Sequence, residues 1–342
     1  MGDFHVVTGA TGLLGSHVAE LLRQRGQAVR ALVRPGGDTA LLRQWGVECV
    51  QADLERPETL PPALANAAVV YHCAARVGDW GPRQLYQRAI VQAMDNLLRA
   101  CQAAEVGRVV HVSSINVYGR VPPPPGGFDE EAPLGQALWW WDYYCQAKID
   151  AEQLVRAYPL PWTILRPSWI YGPRDRNSFP RVLRAMQAGR VRLIGQGNNR
   201  LNILYVEDVA DAVIRAGTTA AAAGRIYNLS SRGEVTQREF LDALARELHL
   251  PPVTRQISYP LAFTYAFLSE TWGRLLGWSQ PPSITRYAVA LVGRPTSFRT
   301  ERAEMELGWS PRTHPYEGLR RTLQWFRPLL ENRQQSNVEN RT

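Results

Sequence analysis

Three glycines at a strict three-residue spacing, Gly9, Gly12 and Gly15, stand between an apolar run, residues 3–8, and a stretch whose Val18, Leu21 and Leu22 recur at helical intervals. Strand, glycine turn and helix in that order constrain the fold more than any other feature of the chain. A phosphate reaches the unpaired N–H groups at a helix start only where no side chain intervenes, and the helix dipole favours its negative charge there. Glycines in this context mark a dinucleotide site; a tight turn serving only strand–helix packing is the competing explanation.

The alternation continues beyond the turn. Residues 28–33, 47–51, 68–73, 109–113 and 162–165 read as strands, and 39–45, 83–104 and 142–157 as helices. This rhythm implies an α/β fold, a Rossmann-type doubly wound parallel sheet with helices on both faces. After about residue 167 Pro, Gly and Trp become frequent and strand candidates shrink to 191–194 and 226–229. Helices are expected there at 179–188, 206–216, 236–248, 260–276, 283–292 and 316–330. The expected organisation is a dinucleotide-binding domain, 1–167 with 203–229, and a smaller, mostly helical substrate domain, 168–202 with 230–330. Residues 331–342 are expected to form a flexible tail, and the proline run in 121–127 a stiff, extended insertion.

Several function classes are excluded by what the chain lacks. Its longest apolar stretches, such as residues 261–268, fall short of the roughly 20 residues of a spanning helix, and the N-terminus has neither a basic nor an apolar leader segment. A cytoplasmic location is expected. Cys49, Cys73, Cys101 and Cys145 are widely separated and expected to be free thiols, and the six histidines form no ligand-like cluster, so no metal is expected. The net charge of +8 is spread along the chain without a block of like charges, which argues for a mildly basic surface and against nucleic acid.

A dinucleotide site needs a second selector at the end of the second strand, where an acidic residue would accept hydrogen bonds from the ribose hydroxyls of NAD. Here Val33 is followed by Arg34. A guanidinium pairs bidentately with phosphate, so NADP(H) is favoured over NAD(H), against the alternative of a merely solvated strand-end cation. Asp53 is placed either to contact the adenine edge or to cap a turn.

Of the 39 basic residues only one, Lys148, is a lysine, and it follows Tyr144 by four positions on an expected helix. With 13 tyrosines in 342 residues, chance places a lysine so in roughly 4% of cases. A phenol with an ordinary pKa near 10 needs a shift of roughly three units to exchange its proton near neutrality, and an adjacent ammonium is expected to lower it. Ser113 and Ser114 end an expected strand, where a hydroxyl faces the crevice and can bond a substrate carbonyl.

With these residues in place the chain resembles the extended short-chain dehydrogenase/reductase superfamily, the NAD-dependent epimerase/dehydratase group, from the first strand to about residue 327. The likeness rests on Thr8-Gly9-Ala-Thr-Gly12-Leu-Leu-Gly15, His72-Cys-Ala-Ala75, Val112-Ser-Ser-Ile-Asn-Val-Tyr-Gly119, Tyr144-Cys-Gln-Ala-Lys148, Arg166-Pro-Ser-Trp-Ile-Tyr-Gly-Pro173 and Tyr205-Val-Glu-Asp-Val-Ala210. It implies Ser114 as the catalytic hydroxyl, Tyr144 as acid/base, and Lys148 as the ribose-binding, pKa-lowering cation. For the cofactor it implies Gly9, Thr11, Gly12, Leu13, Leu14, Gly15, Arg34, Asp53, Leu54, Ala74, Ala75, Ser113, Tyr144, Lys148 and Pro167. Val29-Arg-Ala-Leu-Val-Arg34 is similar to the dihydroflavonol reductase branch. Gly78-Asp-Trp-Gly81 and residues 298–309 are similar to the 3β-hydroxysteroid dehydrogenase branch. Both branches interconvert an alcohol and a ketone by hydride transfer. Ile90 where many members carry asparagine, the proline insertion between Ser114 and Tyr144, and Trp139-Trp-Trp141 are departures that bear on pocket shape. The resemblance also implies a homodimer through helices 83–104 and 142–157.

Residues 257–278, with Tyr259, Phe263, Tyr265, Phe267, Trp272 and Trp278, are unusually aromatic. Three readings stay open: lining a pocket for a hydrophobic ketone, shallow docking on a membrane, and ordinary packing against the dinucleotide domain. The expected activity is NAD(P)-dependent interconversion of a hydroxyl and a ketone on a small hydrophobic substrate, steroid-like, polycyclic or long-chain. The alternatives are a sugar-nucleotide epimerase or dehydratase with bound NAD and a non-catalytic dinucleotide-binding protein.

Overall fold

Adjacent residues Val6 and Val7 of the first strand are both fully buried, the pattern of a strand covered on two faces. The computed structural model describes residues 3–231 and 233–339, with side chains described to residue 328. In chain order the first half runs β1 (Phe4–Thr8), α1 (Leu13–Gln24), β2 (Val29–Val33), α2 (Ala40–Gln44), β3 (Glu48–Gln51), α3 (Leu60–Leu64), β4 (Ala67–His72), α4 (Arg83–Tyr86), α5 (Ala93–Ala103), β5 (Arg108–Val112), α6 (Tyr143–Ala157) and β6 (Trp162–Pro167). The second half runs β7 (Trp169–Tyr171), α7 (Ser178–Gln187), β8 (Leu193–Ile194), β9 (Ile203–Tyr205), α8 (Val206–Thr218), β10 (Arg225–Leu229), α9 (Gln237–Glu247), β11 (Gln256–Ile257), α10 (Tyr259–Leu275), α11 (Arg286–Gly293), α12 (Glu301–Leu307) and α13 (Pro315–Glu339).

Seven strands form one sheet in the order β10-β6-β5-β4-β1-β2-β3, every pairing parallel. The fold is Rossmann-like. On one face Val7, Tyr71 and Val110 pack against Val18 and Leu22 of α1 and Val209 and Val213 of α8. On the other, Val6, Val70 and Ile164 meet Met94 and Leu98 of α5 and Ala147 and Val155 of α6. The chain winds outward from β1 in one direction and from β4 in the other, so the reversal opens a crevice at the carboxyl ends of these two neighbours.

A buried ion pair ties this half together. Arg166 on β6 meets Glu152 on α6 at 2.6 Å and donates to the Tyr118 hydroxyl at 2.9 Å. The later residues add two-stranded sheets, β7 with β9 and β8 with β11, and a helical layer. In it Ala262 and Ala266 of α10 pack with Val289 of α11.

Three local features differ from expectation. The helix expected over 83–104 contains a π-helical segment, Gln87–Gln92, whose Ile90 is buried; such segments accommodate one extra residue per turn. The segment expected as a frayed tail continues α13 as far as Glu339, and residues 340–342 lie outside the described residues. The strands β7, β9 and β11 are only two or three residues long, too short for a periodicity signal. Among the described residues no helix is long and apolar enough to cross a membrane, and no cluster of side chains could hold a metal ion.

Candidate active site

The glycine turn occupies the crevice at the end of β1. Gly9 has φ +67°, and a Cβ there would lie 2.7 Å from the Ala74 backbone, while one on Gly15 would lie 2.3 Å from the Gly9 carbonyl oxygen. Neither position admits a side chain. Gly12 caps α1 with no side-chain bond to its first amides and no acidic residue in the first turn, which leaves those N–H groups and the positive dipole end available to an anion. Thr11, Leu13 and Leu14 belong to this junction, and the Ala74 amide donates to Thr8 Oγ1 at 3.2 Å from the loop that begins beyond β4 and includes Ala75.

Arg34 follows β2, exposed and without an ion pair among the described residues; Gly37 of the same loop lies against Thr11, which sets the loop beside the glycine turn. Asp53 accepts from the Glu55 amide at 3.0 Å, so its carboxylate caps a turn, as one of the two sequence readings has it. Leu54 packs into the core, and its carbonyl accepts from Asn96.

At the end of β5, Ser114 caps a short 3-10 turn, Ile115–Tyr118, and its Oγ accepts from Asn116 Nδ2 at 2.9 Å. The Tyr144 side chain, from the first turn of α6, faces the same serine, which acts to lower its pKa. One helical turn further on, buried Lys148 donates from Nζ to the Val112 carbonyl at 2.9 Å. The structure therefore brings Ser114, Tyr144 and Lys148 to one place. Ser113 lies beside them and Pro167 ends β6; the Oγ atoms of Ser113 and Ser168 are buried without a hydrogen-bond partner among the described residues. Orphaned hydroxyls and a cradle closed to any Cβ fit a nicotinamide dinucleotide.

Burial adds an effect that the Tyr144–Lys148 spacing does not carry. Burial pushes the Tyr144 phenol above its ordinary pKa, and Tyr287 pushes it further, while Ser114 lowers it only in part. Lys148 is lowered to about 8 by burial, against the attraction of Glu152. The ammonium spends its reach on the Val112 carbonyl, and the phenol holds its proton at neutral pH.

Asn116 and Tyr287 were not assigned a role from sequence. Asn116 Nδ2 also donates to Tyr287 Oη at 3.2 Å, and Arg120, paired with Asp142 at 2.7 Å, donates to Asn116 Oδ1 at 3.1 Å. The carboxamide is thus fixed at both ends and joins α11 to the serine. Asn116 lies inside a quoted motif, so its signal was available; Tyr287 is 143 positions from Tyr144 and had none.

A model of the NAD dependent epimerase/dehydratase family matches residues 5–230. The chain belongs to that family. It is 32% identical over 327 residues to a 2-alkyl-3-oxoalkanoate reductase of Stenotrophomonas maltophilia (strain K279a), covering 92% of this chain and 97% of that protein. To the 4-hydroxy-2-methyl-3-oxo-4-farnesyl-3,4-dihydroquinoline-1-oxide ketoreductase of Stigmatella aurantiaca it is 30% identical, covering 92% and 93%. Among solved structures, MoeE5 in complex with UDP-glucose and NAD superposes with a TM-score of 0.72 at 28% identity, covering 96% of this chain and 100% of that one. The chain is an NAD(P)-dependent oxidoreductase of the extended short-chain dehydrogenase/reductase class.

Proposed function

We propose that the protein interconverts a hydroxyl and a ketone on a hydrophobic substrate, with NADP(H) preferred over NAD(H). The observation that carries this reading is the Ser114–Tyr144 pair, one helical turn from the buried Lys148, at the open end of the sheet. The cofactor, when bound, supplies or accepts the hydride. The glycine turn and the amides of Leu13 and Leu14 would hold its phosphates, Arg34 a 2′-phosphate, and Lys148 its ribose hydroxyls.

Tyr144, protonated at neutral pH, donates to the carbonyl oxygen as the ketone is reduced, and Ser114 orients that oxygen. In the opposite direction the phenol must first lose its proton, which the Lys148 ammonium, charged below about pH 8, favours. The relatives named as a 2-alkyl-3-oxoalkanoate reductase and as a ketoreductase of a farnesylated dihydroquinoline oxide support the substrate class. We also infer a homodimer through α5, the π-helical segment before it and α6, where Val91 and Leu154 line a shallow depression with Gln87, Arg88, Gln92 and Asp95. A monomer mass in light scattering would overturn it.

The test of the reaction is NADPH oxidation with a panel of long-chain β-keto acids, polycyclic ketones and keto-steroids. Turnover of at least one is expected, and Tyr144→Phe abolishes it while retaining NADPH binding. Turnover of nucleotide sugars only, by protein purified with tightly held NAD, would replace this reading with the epimerase one, which the likeness to MoeE5 favours. Cofactor binding without turnover of either class would leave a binding protein.

A further inference from the structure

Apolar on both sides, α10 has only one side covered. Ala262, Ala266, Glu270 and Gly273 are buried, while Leu261, Tyr265, Leu268, Trp272, Leu275 and Leu276, at its end, are exposed, Leu275 at 74%. At 100° per residue these six fall within an arc of about 100°. Trp278, just beyond the end of the helix, and Trp140, in the loop before α6, are exposed as well, Trp140 at 79%. Trp278 holds the loop after β4 through a bond from Trp80 Nε1 to its carbonyl at 3.0 Å. A contiguous apolar face of this extent on a soluble surface calls for a partner.

Charge selects the partner. From His249 to Arg294 the chain has four arginines, Arg255, Arg274, Arg286 and Arg294, and a single carboxylate, Glu270. That carboxylate is turned inward and neutralised by Arg286 at 2.7 Å. The outward face of α10 is therefore free of negative charge, with Arg255 exposed before its start, while Arg274 is held inward between Trp80 and Trp141. Exposed Leu and Trp with Arg255 before them, on a chain of net charge +8, suit the interface of an anionic bilayer, where indole rings sit at headgroup depth and basic groups meet phosphate.

We propose that α10 docks the protein on anionic lipid bilayers, lying in the headgroup plane with Leu261, Tyr265, Leu268, Trp272 and Leu275 facing the acyl chains. The proposal rests on the reading of an apolar substrate for its purpose: α11, packed on the opposite side of α10, carries Tyr287 into the Asn116–Ser114 network, so a bilayer-borne substrate would arrive beside the site.

Flotation of the full chain with vesicles tests it without any turnover. With phosphatidylcholine vesicles containing a third phosphatidylglycerol, the protein is expected to float with the lipid. Binding should fall at least tenfold on pure phosphatidylcholine and again at high salt. The double variant Leu268→Glu/Trp272→Glu should lose at least tenfold in vesicle binding while NADPH affinity and melting temperature stay as in the parent; Trp272→Phe should retain most of the binding. No flotation, equal flotation on both lipids, undiminished binding by the double variant, or an oligomer that this variant dissociates without any lipid binding would each overturn the proposal. Ketone turnover is measured separately, so failure of the substrate reading and failure of the docking are told apart.

Discussion

The two ends of the catalytic crevice are built by different physics. On the dinucleotide side, position is set by backbone: Gly9 and Gly15 have no room for a Cβ, and the α1 amides point outward because Gly12 offers no cap. On the α10–α11 side, position is set by side chains stacked on one another. Arg286 lies over Trp139 at 5.2 Å and Phe267 at 5.3 Å, and Arg274 lies over Trp80 at 4.6 Å and Trp141 at 5.0 Å. Trp141 itself sits at φ +69°, a conformation costly for a bulky residue that the stacking must hold. A site made by backbone recurs wherever the spacing recurs, whereas a stacked layer changes with each aromatic residue. The difference divides common chemistry from substrate choice.

The largest test of that division is Tyr144→Phe. It removes only the proton donor, so kcat should fall by about a thousandfold, some 4 kcal/mol, while NADPH binding, read by fluorescence titration, is unchanged. Equal loss of cofactor would place the tyrosine in the binding half instead. Next come two buried ion pairs of like chemistry in the two regions. Glu152→Gln leaves Arg166 charged within the sheet core and should cost about 3 kcal/mol in urea unfolding. Glu270→Gln should cost only about 1–2 kcal/mol, because the Arg286–Glu270 pair, at 8% exposure on both sides, lies closer to solvent than the fully buried Arg166–Glu152 pair. It should, however, raise KM for the ketone more than Glu152→Gln does. Equal stability losses would mean that the α10–α11 layer is as integral to folding as the sheet.

The same division explains how much was legible in the sequence. The strands around Val6, Val70 and Val109 are continuous apolar runs, and the glycine spacing is local, so sheet, turn and the Tyr144–Lys148 pair could be read directly. The tyrosine's proton affinity could not. It depends on Tyr287 and on how deeply α6 is covered, both products of tertiary packing between segments far apart in the chain. Residues 257–278 show the same limit: the aromatic content was plain, but which side of α10 faces water depends on Glu270 meeting Arg286, a pairing that no local spacing encodes.

A smaller effect concerns acid stability. His72 and His111 stack at 5.5 Å on adjacent strands under Lys148; burial, with the lysine's charge, lowers His72 to about 3 and His111 likewise downward. The unfolded chain takes up these protons near pH 6.5, whereas the folded chain refuses them, so stability present at neutrality is lost as pH falls below 6.5. For His72 the loss is about 2 kcal/mol by pH 5. Neither ring nitrogen of His111 has a hydrogen-bond partner among the described residues, so His111→Phe should keep the packing and flatten the acid limb of a melting-temperature profile. An unchanged limb would move the acid sensitivity to the other buried groups.

The smallest effect sharpens the comparison most, because it alters the backbone-built side without touching its backbone. Arg34 is exposed and has no ion pair among the described residues, so Arg34→Ala should leave the melting temperature within the error of measurement. An exposed guanidinium facing a dianionic 2′-phosphate contributes about 1–2 kcal/mol at low salt, so the ratio of kcat/KM for NADPH over NADH should fall about tenfold and approach one as salt rises. The loss should appear in KM for NADPH, with NADH kinetics unmoved, because NADH presents no phosphate there. If both cofactors weaken together, Arg34 supports the loop that Gly37 sets against Thr11, and specificity must be sought elsewhere at the ends of β2 and β3.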